Sequence, residues 1–165
     1  MKSAAQSSPP VLRRATSADA AVALSWSPTM DILHHWAGAT ARWPATPETF
    51  WEDINNADAT SFALVAADAQ MVGFGQVRHR EQKYGHLARL VIAPGQRGQG
   101  FGRLLCTSLM REAPKLYPII AYSLFVYDDN PPAIALYASL GFVRQGTHEN
   151  YPNMGWMVAP LGVIR

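Results

Sequence analysis

The segment HLARLVIAPGQRGQGFGRLLCTSL, residues 86–109, decides the fold of the chain. Its first part, residues 87–93, is apolar and rich in branched side chains and stops at Pro94, a pattern that predicts a buried strand. Its second part, from about residue 99 to residue 110, repeats apolar residues at helical spacing and predicts a helix. A strand that leads through a short turn into a helix is therefore the predicted centre of the fold.

The turn between this strand and this helix carries glycine at alternate positions, Gly98, Gly100 and Gly102. Glycine lets the backbone adopt left-handed conformations and leaves the neighbouring N–H groups free to point at one ligand. The turn also opens a helix, where the helix dipole favours negative charge. The sequence therefore predicts an anion cradle, whose usual ligand is a diphosphate.

Two common phosphate-binding loops do not fit this turn. A Walker A loop needs lysine directly after its second glycine, and Phe101 stands there when Gly95 and Gly100 are taken as the pair. A dinucleotide fingerprint needs a third glycine where this chain has Arg103 or Leu105. Both classes of nucleotide site are therefore excluded.

Two motifs resemble a different family. Arg97-x-x-Gly100-x-Gly102 after a strand resembles the acyl-CoA signature (Q/R-x-x-G-x-G/A) of the GNAT N-acetyltransferase superfamily. The segment NPPAIALYASLGF, residues 130–142, is similar to the N-x-x-A-x-x-L-Y-x-x-L-G-F helix of the same superfamily. A purely structural glycine-rich turn is the alternative for the first motif alone. The resemblance extends over roughly residues 62–143.

The resemblance implies an α/β (α+β) GNAT fold. Its central mixed, mostly antiparallel sheet has six to seven strands, flanked by about four to five helices. Residues 11–165 are expected to form this single acetyltransferase domain after a disordered tail at residues 1–10. The implied function is direct transfer of an acetyl group from acetyl-CoA to a primary amine of a small molecule or a protein N-terminus. The alternative is a non-catalytic acyl-CoA-binding sensor with the same fold.

The same resemblance implies a cofactor site. The backbone of Leu90, Val91 and Ile92 would pair with the pantetheine arm, with the Ile92 amide placed to polarise the thioester carbonyl. Asn130 would meet the pantetheine or the nearby phosphates. The pyrophosphate would bind the amides of the turn, with added positive charge from two arginines; these residues are Arg97, Gly98, Gln99, Gly100, Phe101, Gly102 and Arg103. Arg89 lies on the opposite strand face, where a structural ion pair is expected.

Tyr137 is the general acid that the resemblance implies, because a phenol stays protonated at neutral pH and can donate to the departing sulfur. The alternative is a tyrosine that packs under the sheet. The places where relatives carry a glutamate base hold His86 and Phe125. His86 is therefore the candidate base, directly or through water, and a solvated residue at a strand edge is its alternative. The other candidates are His79, Glu81, Asp128 and Glu149.

Composition limits the remaining classes of function. A chain of 165 residues with 48% hydrophobic residues is expected to form one globular domain. A net charge of +2 without a basic block argues against a nucleic-acid or membrane partner. The lone Cys106 lies among apolar residues and is expected to be a buried structural thiol. Because the chain has a single cysteine and no evident signal peptide, a cytoplasmic protein is expected. His34 and His35 point apart, so no metal site is predicted.

The remaining elements follow from local patterns. Pro114 and Pro118 are expected to end the central helix, and residues 81–85 to form a polar connection before the central strand. Tyr151, Pro152 and Asn153 are expected in the loop of a closing hairpin. Four of the five tryptophans fall within residues 26–51, where an aromatic acceptor pocket and ordinary packing of helices are both open. The acceptor, the acyl-chain preference and the formation of a homodimer also stay open.

Overall fold

A computed structural model of the protein describes residues 8–81 and 83–164. Residues 1–7 of the expected disordered tail lie outside the described residues, and residues 8–10 have no regular secondary structure. The elements in chain order are β1 (Val11–Arg14), α1 (Ser17–Ser25), α2 (Met30–Ala37), α3 (Pro47–Ile54), β2 (Ala59–Val65), β3 (Met71–Arg80), β4 (Tyr84–Ile92), a 3₁₀ turn (Pro94–Gln96), α4 (Phe101–Leu116), β5 (Ala121–Tyr127), α5 (Pro131–Ser139), β6 (Val143–His148) and β7 (Tyr151–Pro160).

The seven strands form one sheet in the order β1-β2-β3-β4-β5-β7-β6. Every pair is antiparallel except β4 with β5, which are parallel and are joined through α4. A parallel pair needs such a crossover, because a tight hairpin can join only antiparallel strands. The predicted mixed, mostly antiparallel sheet with flanking helices is therefore confirmed.

Helices cover both faces of the sheet and divide the core in two. On one face, α4 and α5 pack through residues such as Leu105, Leu109 and Tyr137. On the other face, α1, α2 and α3 pack through residues such as Leu33 and Phe50. Apolar burial of this extent is the main favourable contribution to folding a domain of this size.

The N-terminus of α4 differs from those of the other α-helices in its cap. A side-chain oxygen caps α1, α2, α3 and α5, from Thr16, Thr29, Thr46 and Asn130 respectively. These caps satisfy N–H groups that have no partner inside the helix. Within the described chain, α4 is the α-helix that starts without one, because its N-cap is Gly100.

Three local predictions are wrong. Pro114 lies inside α4, which continues to Leu116 because the buried Met110 and Ala113 precede it and the partly buried Leu116 after it packs on the same core. The central strand starts at Tyr84 within the expected connection, because its polar start pairs with β5. Tyr151, Pro152 and Asn153 belong to β7, which begins immediately after a two-residue turn.

The parallel pair opens part-way along its length. β4 pairs with β5 only from Tyr84 to Leu87, although β4 continues to Ile92. A register shift in the pairing of β3 with β4 accompanies this opening, and Arg89 in the shifted segment has a positive φ of 53°. Such a bulge bends a strand away from its neighbour. The described residues leave the β5-facing side of β4 without a strand partner beyond Leu87.

Candidate active site

A cleft of about 900 Å³ lies where β4 and β5 separate. The end of β4, the glycine turn, α4 and α5 form most of its wall, and α2 contributes from the other face of the sheet. The structure brings together eleven of the thirteen predicted site residues in this cleft: Leu90, Val91, Ile92, Arg97, Gly98, Gly100, Phe101, Gly102, Arg103, Asn130 and Tyr137. Gln99 and His86 are not among the residues that line it.

The glycine turn has the conformation that its sequence requires. Gly98 and Gly100 have φ angles of 74° and 83°, a region that side-chain-bearing residues rarely adopt. Gly102 serves a different need, because a Cβ there would lie 3.3 Å from the Leu136 side chain of α5. The first and second glycines therefore shape the turn, and the third lets two helices approach closely.

The N–H groups at the start of α4 are unused by the helix. The first helical hydrogen bond runs from the Leu104 amide to the Gly100 carbonyl at 3.1 Å. The amides of Phe101, Gly102 and Arg103 precede it and have no acceptor within the helix. Together with the absence of a side-chain cap in the described residues, this leaves several donors directed to the cleft end of α4.

Two arginines add positive charge beside these amides. Arg97 is exposed, and its Nε donates a hydrogen bond to the Ile92 carbonyl at 3.3 Å. Arg103 donates to the Ser139 hydroxyl at 2.6 Å, which holds its guanidinium between α4 and α5. Guanidinium groups bind phosphate oxygens through paired donors. This end of the cleft is therefore suited to an anion.

Tyr137 faces the cleft from α5. Its side chain is 8% exposed, and no residue in 8–81 or 83–164 forms a hydrogen bond with its hydroxyl. Burial, with a smaller contribution from the nearby Cys106 thiol, raises the pKa of this phenol. The phenol therefore stays protonated throughout the neutral range, as a proton donor must.

Cys106 is buried on the α4 wall of the same cleft. Burial raises the pKa of its thiol to about 12, and the positive charge of Arg103 offsets this only in part. A thiol in that state carries almost no thiolate at neutral pH, so it is a poor nucleophile. The prediction of a buried structural thiol is confirmed.

His86 lies inside the sheet, where it is 5% exposed. Its Nδ1 is 2.9 Å from the Ser123 hydroxyl of β5, and its ring lies 5.1 Å from that of Phe125. Burial, reinforced by the positive charges of Arg80, Arg78 and Arg89, lowers the pKa of His86 to about 3. The alternative of a solvated residue at a strand edge is wrong, because β5 covers this part of β4. Its role as base stays a prediction.

The depressed pKa of His86 predicts a pH-dependent stability. Below pH 6.5 the unfolded chain protonates this imidazole while the folded chain does not, so acid favours unfolding. We expect His86 alone to reduce the free energy of unfolding by about 2 kcal/mol between pH 7.5 and pH 5. Urea denaturation of the wild type and of His86→Gln at both pH values measures this difference. Equal losses in the two proteins would contradict the assignment.

Arg89 forms hydrogen bonds instead of the predicted ion pair. Its Nε donates to the Ala37 carbonyl at 3.0 Å, and its NH1 donates to Gln76 Oε1 at 2.8 Å. None of the ion pairs within the described chain includes it. The left-handed φ at the bulge turns its side chain toward α2, where a helix C-terminus supplies the acceptor. The prediction of an ion pair is therefore wrong.

Comparison with known protein families identifies the family of this chain. Residues 30–142 match the model of the Acetyltransferase (GNAT) family. The chain belongs to this family. The match covers the cleft from α2 to the end of α5, and it therefore includes every element that supplies a lining residue.

Two curated relatives match this GNAT chain over part of their length. The mycothiol acetyltransferase of Streptomyces coelicolor is 34% identical over 93 residues, 56% of this chain and 29% of the relative. The spermidine N(1)-acetyltransferase of Vibrio cholerae is 33% identical over 86 residues, half of each chain. The chain therefore spans from under a third to about half of the length of these relatives.

Solved structures share the GNAT fold over nearly the whole chain. The spermidine N-acetyltransferase of Vibrio cholerae in complex with CoA and spermine has a TM-score of 0.76 at 19% identity, covering 92% of this chain and 95% of that one. An acyl-CoA N-acyltransferase from Klebsiella pneumoniae has a TM-score of 0.65 at 22% identity, with 92% and 97% covered. At these identities the likeness concerns the fold.

Sequence reasoning left an aromatic acceptor pocket within residues 26–51 open, but it did not name the other α2 residues of the GNAT cleft. Asp31, Ile32, His35 and Trp36 all line it. Trp36 also packs edge-on against Phe50, and its Nε1 donates to the Ser27 hydroxyl at 2.8 Å, so it both lines the cleft and supports the core. The signal in the sequence was the i, i+4 spacing of Asp31 and His35, which places both on one helix face.

Two further features are absent from the described part of the chain. None of its helices combines the length and the apolar character needed to cross a bilayer. Residues 8–81 and 83–164 also contain no group of three or more His, Cys, Asp or Glu side chains arranged to hold a metal ion.

Proposed function

We propose that the protein is an acetyl-CoA-dependent N-acetyltransferase that moves an acetyl group directly to a primary amine. One cleft carries this proposal: a helix start without a side-chain cap, a strand edge without a strand partner and a tyrosine hydroxyl without a hydrogen-bond partner among the described residues all face the same space. Membership of the GNAT family and the acetyltransferase names of the curated relatives support it.

The anionic end of acetyl-CoA fits the start of α4. The amides of Phe101, Gly102 and Arg103 lack helical acceptors, and phosphate oxygens are suitable partners for them. Arg97 and Arg103 supply positive charge at the same end. The left-handed Gly98 and Gly100 keep the approach to these amides free of side chains.

The open edge of β4 fits the amide-bearing arm of the same molecule. Residues 90–92 line the cleft and lack a strand partner on the β5 side within the described chain. An extended ligand with amide groups can therefore complete the hydrogen bonds of this edge, as an added strand does. Asn130 caps α5 through its Oδ1 at 3.3 Å from the Ala133 amide, so its side chain is held at the cleft wall.

The bound cosubstrate supplies an acetyl thioester, and Tyr137 supplies the proton that its sulfur needs on departure. The amine nitrogen forms the new bond to the acetyl carbon, and the carbon–sulfur bond breaks with its electron pair on sulfur. Tyr137 donates its phenolic proton to that sulfur and recovers one from the acetylated nitrogen. Because burial raises the pKa of Tyr137, proton donation is available at neutral pH but is only weakly favoured.

Release of free thiol from acetyl-CoA over a panel of primary amines tests the proposal. Turnover with at least one amine is expected, together with binding of acetyl-CoA in the absence of any amine by calorimetry. Binding without turnover across the panel would favour the acyl-CoA-binding sensor, to which the burial of His86 outside the cleft lends some support. Absence of binding would overturn both.

We expect acceptors of low basicity to react faster than lysine-type amines. At pH 7 an α-amine is about 14% neutral, whereas a lysine-type amine is about 0.04% neutral. That ratio corresponds to about 3.5 kcal/mol, which only a strong base at the site would offset. The buried His86 is a weak base with a pKa of about 3.

The measurement is kcat/KM against pH for matched α-amino and ε-amino acceptors. We expect kcat/KM to rise through the pKa of each acceptor and His86→Ala to cost less than about tenfold. Faster turnover of the ε-amine at pH 7, or a steep loss in His86→Ala, would contradict this expectation.

A further inference from the structure

The charges that line the cleft are divided between its walls. Arg97 and Arg103 belong to the glycine turn and α4, whereas Asp31 on α2 and Asp129 in the turn after β5 bring carboxylates. Both carboxylates are exposed to the cleft solvent, and neither forms an ion pair among the described residues. A cleft divided in this way can hold an anion on one wall and a cation on the other.

His35 lies with these carboxylates. It follows Asp31 by four residues, which places both on the same face of α2. Its ring lies 4.9 Å from that of Tyr127 at the end of β5. Burial raises the pKa of Tyr127, and electrostatic interactions with Tyr151 and Asp129 raise it further. Asp129 is therefore close enough to influence the tyrosine that His35 contacts. Arg89 also contacts α2, because its Nε donates to the Ala37 carbonyl.

The adjacent histidine has a different environment. The Nε2 of His34 lies 2.8 Å from the Ala41 carbonyl, within the connection that follows α2. His34 does not line the cleft, whereas His35 does. One helix thus presents two neighbouring imidazoles, of which one is engaged with backbone and the other is open to the site.

A second observation points to a ligand in this space. The Tyr137 hydroxyl belongs to a side chain that is more than nine-tenths buried, lines the same cleft and has no hydrogen-bond partner in residues 8–81 or 83–164. The hydroxyl oxygen is open to the cleft, since it is not among the fully buried side-chain polar atoms of the described residues that lack a partner. A molecule bound in this cleft therefore has access to Tyr137 on α5 and to Asp31 and His35 on α2, because all three line the same space.

We propose that Asp31 and Asp129 bind the ammonium group of the acceptor and that His35 accepts its proton, a role that rests on the acetyl transfer proposed above. The ammonium gives one proton to an imidazole nitrogen of His35 and becomes a neutral amine with a free electron pair. After transfer, His35 returns this proton to solvent. Tyr137 exchanges its proton between nitrogen and sulfur, so the net products are the amide, the free thiol and one proton.

The side chains that α2 contributes to the cleft also indicate the class of acceptor. Ile32 and Trp36 line the cleft beside Asp31 and His35 and offer an apolar surface next to the carboxylates. A small primary amine with one cationic head and an apolar or aromatic body matches this arrangement. An acceptor with several cationic centres would leave its further charges against apolar side chains, at a cost in desolvation.

Steady-state kinetics of His35→Gln and the matched control His34→Gln tests the proposal with a small aromatic α-amine as acceptor. We expect His35→Gln to lower kcat/KM about 100-fold at pH 7 and to recover most of that loss at a pH where the amine is already neutral. His34→Gln should stay within about threefold of wild type, and both variants should bind acetyl-CoA as wild type does. Asp31→Asn should raise KM more than it lowers kcat.

The outcomes separate this proposal from the one it rests on. Turnover by the wild type with equal, small losses in His35→Gln and His34→Gln would overturn the role of His35 and leave acetyl transfer standing. A loss in His35→Gln that does not diminish at high pH would also overturn it, because a merely structural role has no such pH dependence. Absence of turnover by the wild type on every amine would overturn both.

Discussion

Gly100→Val is expected to abolish detectable binding of acetyl-CoA, which the wild type should bind in the micromolar range. Gly100 has a φ of 83°, where a β-branched side chain is strained by about 1–2 kcal/mol. Apart from its own chain neighbours, no described residue has an atom within 4 Å of the position that a Cβ would take there, so the new side chain would occupy open space at the start of α4. That space is where the phosphates would meet the free amides.

Gly95→Val is the matched control for this experiment. Gly95 lies in the same turn region, has no positive φ and also has open space around a Cβ. It does not line the cleft, so isothermal titration calorimetry should report an affinity close to wild type. Circular dichroism checks that both variants are folded. Unchanged affinity in Gly100→Val would show that the cradle lies elsewhere.

Tyr137→Phe should lower kcat by about 100-fold with little change in the affinity for acetyl-CoA. General acids contribute about 10²–10⁴-fold, and the lower end applies here because a thiolate of pKa about 8.5 is already a fair leaving group. The raised pKa of the buried phenol acts in the same direction, since a weaker acid transfers its proton less readily. The hydroxyl acts on charge that develops only in the transition state, so binding is spared.

Tyr122→Phe provides the comparison for this variant. Tyr122 is also a buried tyrosine whose pKa is raised by burial, but it lies on β5 within the core and does not line the cleft. It should leave kcat within about threefold of wild type. Single-turnover thiol release, measured beside calorimetry, separates chemistry from binding. A kcat in Tyr137→Phe equal to that of wild type would remove this residue from the mechanism.

The parts of the site that the sequence predicted are those whose geometry is local. The glycine turn adopts its left-handed conformations within a few residues, and α5 begins at Asn130 through its own side chain. The spacing of Tyr137 along one helix likewise fixes its position relative to that cap. Such features depend on neighbours in the chain, so the pattern alone was sufficient to place them.

The parts that failed depend on neighbours distant in the chain. His86 is buried because β5 brings Ser123 and Phe125 against it, and the parallel pairing that does so is not visible in the local pattern. Pro114 stays in a helix because the buried residues before it and the partly buried Leu116 after it pack on the core, and this packing outweighs the poor helix propensity of proline. His35 reaches the cleft only because α2 packs against β4 from the opposite face.

The separation of β4 from β5 also bears on how the protein avoids self-association. A strand edge with unused N–H and C=O groups ordinarily invites another chain and starts aggregation. Here such an edge lies in the middle of the sheet, between walls formed by α2 on one face and by α4 and α5 on the other. A whole β-strand with its side chains is much bulkier than a slender linear molecule. The fold therefore places an unpaired strand edge in a cleft that can admit a linear ligand but not a β-strand of another chain.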